Sequence, residues 1–166
     1  KFSSGYWNVF DPTNGYTAIT RDIVKLLPLN KISNRFFFES DMLFRLNLAG
    51  SRVIDIPMDA VYENEKSNLR ISQIILEFFF KHVKNFAKRF VYSYFLKGMS
   101  IASIELPLGI FLLLFGIFFG IDAWIYSNDM KVQASAGTVM LSALPIMTGL
   151  QLILAFINYD ILTSSK

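Results

Sequence analysis

Cysteine is absent from the 166 residues, which excludes a disulfide framework and any thiolate-bound zinc. A single histidine, His82, leaves little room for a His-rich metal site or an imidazole-centred triad. Charge is scarce as well. Charged residues are 17% of the chain against 53% hydrophobic, which excludes a disordered segment or a basic nucleic-acid-binding tail. Neither an initiator Met nor a signal-peptide pattern opens the chain at Lys1, so a piece of a longer protein is expected. What the sequence has in excess is aromatic surface. Seventeen Phe are more than a small water-soluble core needs.

The few charges are unevenly placed. Residues 1–100 carry fourteen Lys/Arg and nine Asp/Glu, whereas residues 101–166 carry two Lys and four acids. This reads as a cytosolic part followed by a membrane part. No charge interrupts Leu106–Ile121 or Val132–Tyr159. The stretches 101–124 and 132–159 are each long enough to cross a hydrocarbon core of about 30 Å. The short polar link 127–131 makes them an antiparallel hairpin. Trp124, Tyr126 and Tyr159 stand where interfacial aromatics belong, and Glu105 at headgroup level. Gly116 and Gly120 in the first span should meet the small residues of 134–143 in the second. Pro107 and Pro145 are candidate kinks. Lys81, Lys84, Lys88, Arg89 and Lys97 precede the first span, which puts both termini on the cytoplasmic side of the cytoplasmic membrane.

Residues 71–99 bridge the two parts. Ile71, Ile74, Ile75, Phe78, Phe79, Phe86 and Phe90 recur at helical spacing, with Glu77, Lys81, Lys84 and Lys88 on another side. An amphipathic helix at the bilayer interface is expected, with His82 an interfacial side chain rather than a ligand. Packing on the cytosolic part is the competing reading, and the two are compatible.

In residues 1–70, Gly15–Thr20 alternates like a strand after the turn signal 11–15. Asp22–Leu27 is helical and stopped by Pro28. Glu39–Ala49 is a helix with Met42, Leu43, Leu46 and Ala49 inward and Gly50 closing it. Arg52–Pro57 and Met58–Tyr62 read as short strands, with partner strands upstream of Lys1. No phosphate loop, nucleophile triad or metal cluster is visible. Asp11, Asn14, Gly15, Arg21, Asp41, Ser67, Asn68 and Arg70 gather beside the expected turns. Taken alone, most of these would be turn formers, caps or surface charges.

The motifs DPTNGYTAITRDIVKLL (11–27), FESDMLFRLNLAGSRVIDIPMDAVY (38–62) and EKSNLR (65–70) together resemble the polyprenyl-phosphate glycosyltransferases. These are family-2 enzymes such as the dolichol-phosphate mannose and glucose synthases. The resemblance runs over nearly the whole chain and rests on motif order and spacing. It implies an α/β fragment, the C-terminal part of a GT-A-type domain (1–70), then the juxtamembrane helix (71–99) and a transmembrane hairpin (100–166). The implied reaction moves a sugar from a nucleotide-sugar to a polyprenyl phosphate at the bilayer. The acceptor is already an anionic nucleophile, so it needs positive charge to hold it more than a general base.

Carried over by position, Asp11, Asn14, Gly15 and Arg21 would line the sugar or acceptor pocket. Asp41 would be the catalytic acidic residue. Ser67 and Asn68 would form the loop over the diphosphate. The family's arginine before that loop is replaced by Tyr62-Glu63, and Arg70 stands in for it. A divalent metal, Mg2+ or Mn2+, is implied, but its Asp-x-Asp ligands are not in this chain. The fragment alone should therefore be inactive. The implied partners are the lipid bilayer, polyprenyl phosphate and the nucleotide-sugar, with no nucleic acid; any homo-oligomer would form through the spanning helices. A different class, a non-enzymatic membrane subunit presenting a small cytosolic binding module, fits the same layout. A cellulose-synthase-like processive enzyme lacks its Gln-x-x-Arg-Trp signature here.

Overall fold

The computed structural model describes residues 1–58 and 71–164. Five α-helices follow one another: α1 (Arg21–Leu26), α2 (Phe38–Leu48), α3 (Ile71–Val91), α4 (Ala102–Met130) and α5 (Ala136–Ser164). Short 3-10 turns occupy Leu29–Lys31 and Arg35–Phe37, and a π-helical turn, Tyr92–Leu96, extends α3. The chain divides into two compact units. One comprises Lys1–Lys97 with Thr163–Lys166, the other Gly98–Leu162.

No β-strand is present among the described residues, which overturns the α/β expectation. The segments 15–20 and 52–57 lack regular structure and are largely solvent-facing. Alternation favours an extended chain, but a strand needs a neighbour to take its N–H and C=O groups. Val53 instead meets Asn8, whose Nδ2 donates to the Val53 carbonyl at 2.9 Å. Beside it, the Tyr6 hydroxyl donates to the Ser51 carbonyl, and the Phe10 N–H donates to Asp55 Oδ2 at 2.6 Å. Residues 6, 8 and 10 thus meet 51, 53 and 55 in parallel register, joined by side chains in place of a backbone ladder. Most of the Met58–Tyr62 expectation lies outside the described residues.

The first unit has a small core of Tyr6, Val9, Leu27 and Leu46, with Ile23, Met42, Leu43, Ala49 and Val53 against it. The inward positions expected for α2 are those found. Its end is a Schellman motif: Gly50 N–H donates to Asn47 O (2.9 Å) and Ser51 N–H to Leu46 O (2.9 Å). Gly50 has φ +70°, and this left-handed conformation is why glycine suits the position. Burial of the Tyr6 ring pushes its hydroxyl pKa up to about 12.

In the second unit, α4 and α5 are long and apolar enough to cross a membrane. Only 17% and 11% of their most apolar windows are buried, whereas a core helix of a soluble protein is mostly buried. Close approach along their seam needs glycine. A Cβ on Gly149 would lie 2.7 Å from both Gly109 O and Leu113 N, and one on Gly116 2.7 Å from Ser142 O. Ser142 Oγ donates to Gly116 O at 3.1 Å. Gly116 therefore meets Ser142 as the small-residue spacing implied.

The link between these helices differs from expectation. α4 continues through 127–130 and ends at Lys131, which is left-handed at φ +52°. Val132 N–H donates to Ser127 O (3.1 Å) and Lys131 N–H to Asn128 O (3.4 Å), closing the helix as a glycine would. The loop is thus 131–135. Ser135 caps α5 by accepting the Thr138 N–H at 3.1 Å.

Candidate functional site: a polar seam under an amphipathic helix

Helix α3 has its polar and apolar faces reversed relative to a simple surface helix. Phe78, His82, Asn85 and Arg89 are spaced i, i+4, i+7, i+11 and share one face. That face meets α2 and the first residues of the chain. Asn85 Nδ2 donates to Asp41 Oδ1 at 3.0 Å. Arg89 Nε donates to Phe2 O at 3.0 Å, and Ser3 Oγ lies 2.8 Å from His82 Nδ1. Phe37 packs edge-on against Phe78 and His82, with centroids at 5.3 and 4.9 Å. His82 is therefore a packed seam residue, a correction to its interfacial reading. Burial holds its pKa below the ordinary histidine value.

The outward face carries Leu76, Phe79, Phe80 and Val83, all exposed. Exposed Lys84 and Lys88 flank this apolar stripe, and neither makes an ion pair among the described residues. The other two basic residues of α3's central turns are committed locally. Lys81 Nζ is 2.7 Å from Glu77 Oε1 and sits over the Phe37 ring at 5.2 Å. Arg89 is 3% exposed and lies 5.7 Å from the Phe86 ring centre.

Asp41 organises the seam. Its carboxylate is buried and accepts three hydrogen bonds. Ser33 N–H and Arg45 Nε reach Oδ2 at 2.8 and 3.0 Å, and Asn85 reaches Oδ1. Arg45 Nη2 in turn donates to Lys31 O. Burial alone would raise the Asp41 pKa. The hydrogen bonds from Ser33, Asn85 and Arg45, with the Arg45 charge, outweigh it and hold the carboxyl below its usual range. A carboxylate so saturated positions α2 against α3 and is a weak proton acceptor.

The other candidate residues are dispersed. Asp11 and Asn14 build the turn between them. Asp11 Oδ1 accepts from Thr13 N–H (2.9 Å) and Thr13 Oγ1 (2.6 Å), and Asn14 Oδ1 from Tyr16 N–H (2.9 Å). Those Thr13 bonds lower the Asp11 pKa. Arg21 is exposed at the start of α1. Ser67, Asn68 and Arg70 lie outside the described residues. Gly15 approaches Glu39: a side-chain carbon on Gly15 would stand 3.5 Å from Glu39 Oε1. Asp41 makes its bonds to Ser33, Arg45 and Asn85, and none joins it to this turn. No cluster of three or more His, Asp or Glu suited to a metal occurs among the described residues.

Sequence reasoning missed two contributors. Residues 1–9 carry turn-like glycine and serine and no motif, yet they supply Ser3, Tyr6 and Val9 to the buried interior. Gly5, at φ +78°, lets Asn47 and Arg89 come close; its Cβ would meet Asn47 Nδ2 at 2.7 Å. Asn85 was hidden inside an amphipathic pattern, where its one signal was a polar residue on the Phe78 side.

No family model, curated protein or solved structure matches the chain.

Proposed function

We propose that this chain is the membrane-anchored, acceptor-side portion of an enzyme that transfers sugar from a nucleotide-sugar to a polyprenyl phosphate. The proposal concerns location and chemistry and carries no β-sheet. The observation that carries it is the two-faced α3: its polar residues are used inward, and its Phe stripe is left outward with two lysines that have no ion pair among the described residues. Such a surface suits a bilayer interface holding lipid phosphates, because the rings enter the acyl boundary while ammonium groups stay among anionic oxygens. After the π-helical turn that extends α3, five residues lead to the first helix apolar enough to span. The order of motifs in 11–70 supplies the glycosyl-transfer part of the reading, with both termini cytoplasmic.

The test uses the full chain in neutral lipid nanodiscs. Polyprenyl phosphate should be retained in preference to the uncharged polyprenol, and Lys84→Glu with Lys88→Glu should abolish that preference. Equal retention of the two lipids rejects the reading. A non-enzymatic anchor subunit is favoured by one observation, the saturation of Asp41, and is the outcome if the full-length protein gives no lipid-extractable labelled sugar from a labelled nucleotide-sugar.

A further inference from the structure

Arg35, Phe36 and Glu39 line one shallow depression of about 480 Å³ on the first unit. Three features set it apart from the seam. First, none of the three side chains has a hydrogen bond, ion pair or ring partner among the described residues. That includes Arg35 and Glu39 toward each other. Second, the turn carrying Asn14 and Gly15 comes to the Glu39 edge of the depression. Third, Arg35 is one of two non-glycine residues with a left-handed backbone among the described residues, at φ +61°. A bulky side chain there costs free energy that a satisfied surface arginine would not require.

We infer that this depression binds a glycosyl phosphate, with Arg35 on the phosphate and Phe36 and Glu39 on the sugar. The inference rests on the glycosyl-transfer reading and assigns residues to it. Each group suits its role. A guanidinium offers a planar fork of donors to phosphate oxygens. A carboxylate accepts hydrogen bonds from sugar hydroxyls, and an exposed ring covers the C–H face of a pyranose. Inorganic phosphate has no C–H face for the Phe36 ring and no sugar hydroxyls to reach Glu39 from the Arg35 side, so the trio favours the sugar ester over inorganic phosphate. In this assignment the acid of α2 that faces ligand is Glu39, and Asp41 positions the helix that carries it.

The experiment titrates the full chain in nanodiscs with glucosyl phosphate, glucose and inorganic phosphate by calorimetry. Glucosyl phosphate should bind about tenfold or more tightly than either fragment, in line with a charge-assisted contact added to a neutral one. Arg35→Gly removes the guanidinium and suits the left-handed backbone, so the fold is retained while affinity falls about tenfold or more. Glu39→Gln should erase most of the preference over inorganic phosphate. Competition by a nucleotide-sugar or by a polyprenyl-phosphate sugar then tells which source of the glycosyl phosphate the site accepts. Unchanged affinity in Arg35→Gly, or no preference over inorganic phosphate in the parent, overturns the assignment. Because lipid retention is read separately, a chain that selects polyprenyl phosphate but ignores glucosyl phosphate loses this site and keeps the proposed function.

Discussion

The two units solve the same packing problem with opposite materials. Lys1–Lys97 buries polar side chains and uses them as struts: Asp41, Asn85, Arg89 and Ser3 join helices to irregular chain. Gly98–Leu162 leaves most of its side-chain surface outward and closes its seam by omitting side chains at Gly109, Gly116 and Gly149. The difference follows from the surroundings each suits. In water, irregular backbone must find specific partners when it is covered. Where the surroundings are as apolar as leucine, helices gain by close backbone contact instead.

The largest expected effect breaks the first unit alone. Asp41→Asn removes the charge facing Arg45, whose side chain is 15% exposed, and should cost about 3 kcal/mol. Helix α3 should lose amide protection from hydrogen exchange while α4 and α5 keep theirs. Loss in all helices together would show that the units are not independent.

Gly149→Ala is the reciprocal change. Its Cβ would press on the backbone atoms Gly109 O and Leu113 N, which cannot swing aside. A cost of about 1–3 kcal/mol is expected, even after the better helix propensity of alanine. Gly120→Ala should cost less, since the nearest atom is the movable Ser142 hydroxyl. Thermal melts in detergent micelles should rank the two; the reverse order would contradict the seam.

Ser142→Ala deletes the Ser142 Oγ hydrogen bond to Gly116 O and should cost roughly 0.6 kcal/mol. A loss as large as that of Asp41→Asn would mean the hairpin also depends on polar struts.

The smallest effect is confined by pH. His82 titrates below its unfolded value of 6.5, so the folded state resists its protonation. Its contribution is fully present above that value and is lost as pH falls below it through the folded pKa. Asp41 acts in a lower window, losing its contribution as pH falls below 3.8 through its own depressed pKa. Melts of the parent at pH 7.5 and 5.5 should differ, and His82→Gln should remove most of that difference. An unchanged difference would assign it to other groups.

Much of the helical framework was legible. The α2 pattern, its glycine stop and its inward residues agree with the structure, because an amphipathic period and a left-handed cap are local properties. The two long apolar runs were equally plain, since length and absence of charge need no partner to be recognised. The strands were misread because alternation at 15–20 and 52–57 reports extended chain but not who accepts its hydrogen bonds. The α4 boundary was misplaced because Lys131 took a conformation usually marked by glycine.

The candidate site was the least legible part. Asp41 and Glu39 are two residues apart and look alike in sequence, yet one is saturated inside the seam and the other, at a surface depression, has no partner among the described residues. By itself the sequence determined the helix α2, the amphipathic helix α3 and the two apolar helices, because each follows from periodicity or hydrophobic length along a continuous stretch. Tertiary structure decided which face of α3 turns inward, which acid of α2 is used up and what residues 1–9 are for. Those outcomes depend on partners such as Ser3 with His82, or Asp41 with Asn85, which lie 79 and 44 positions apart and leave no local trace.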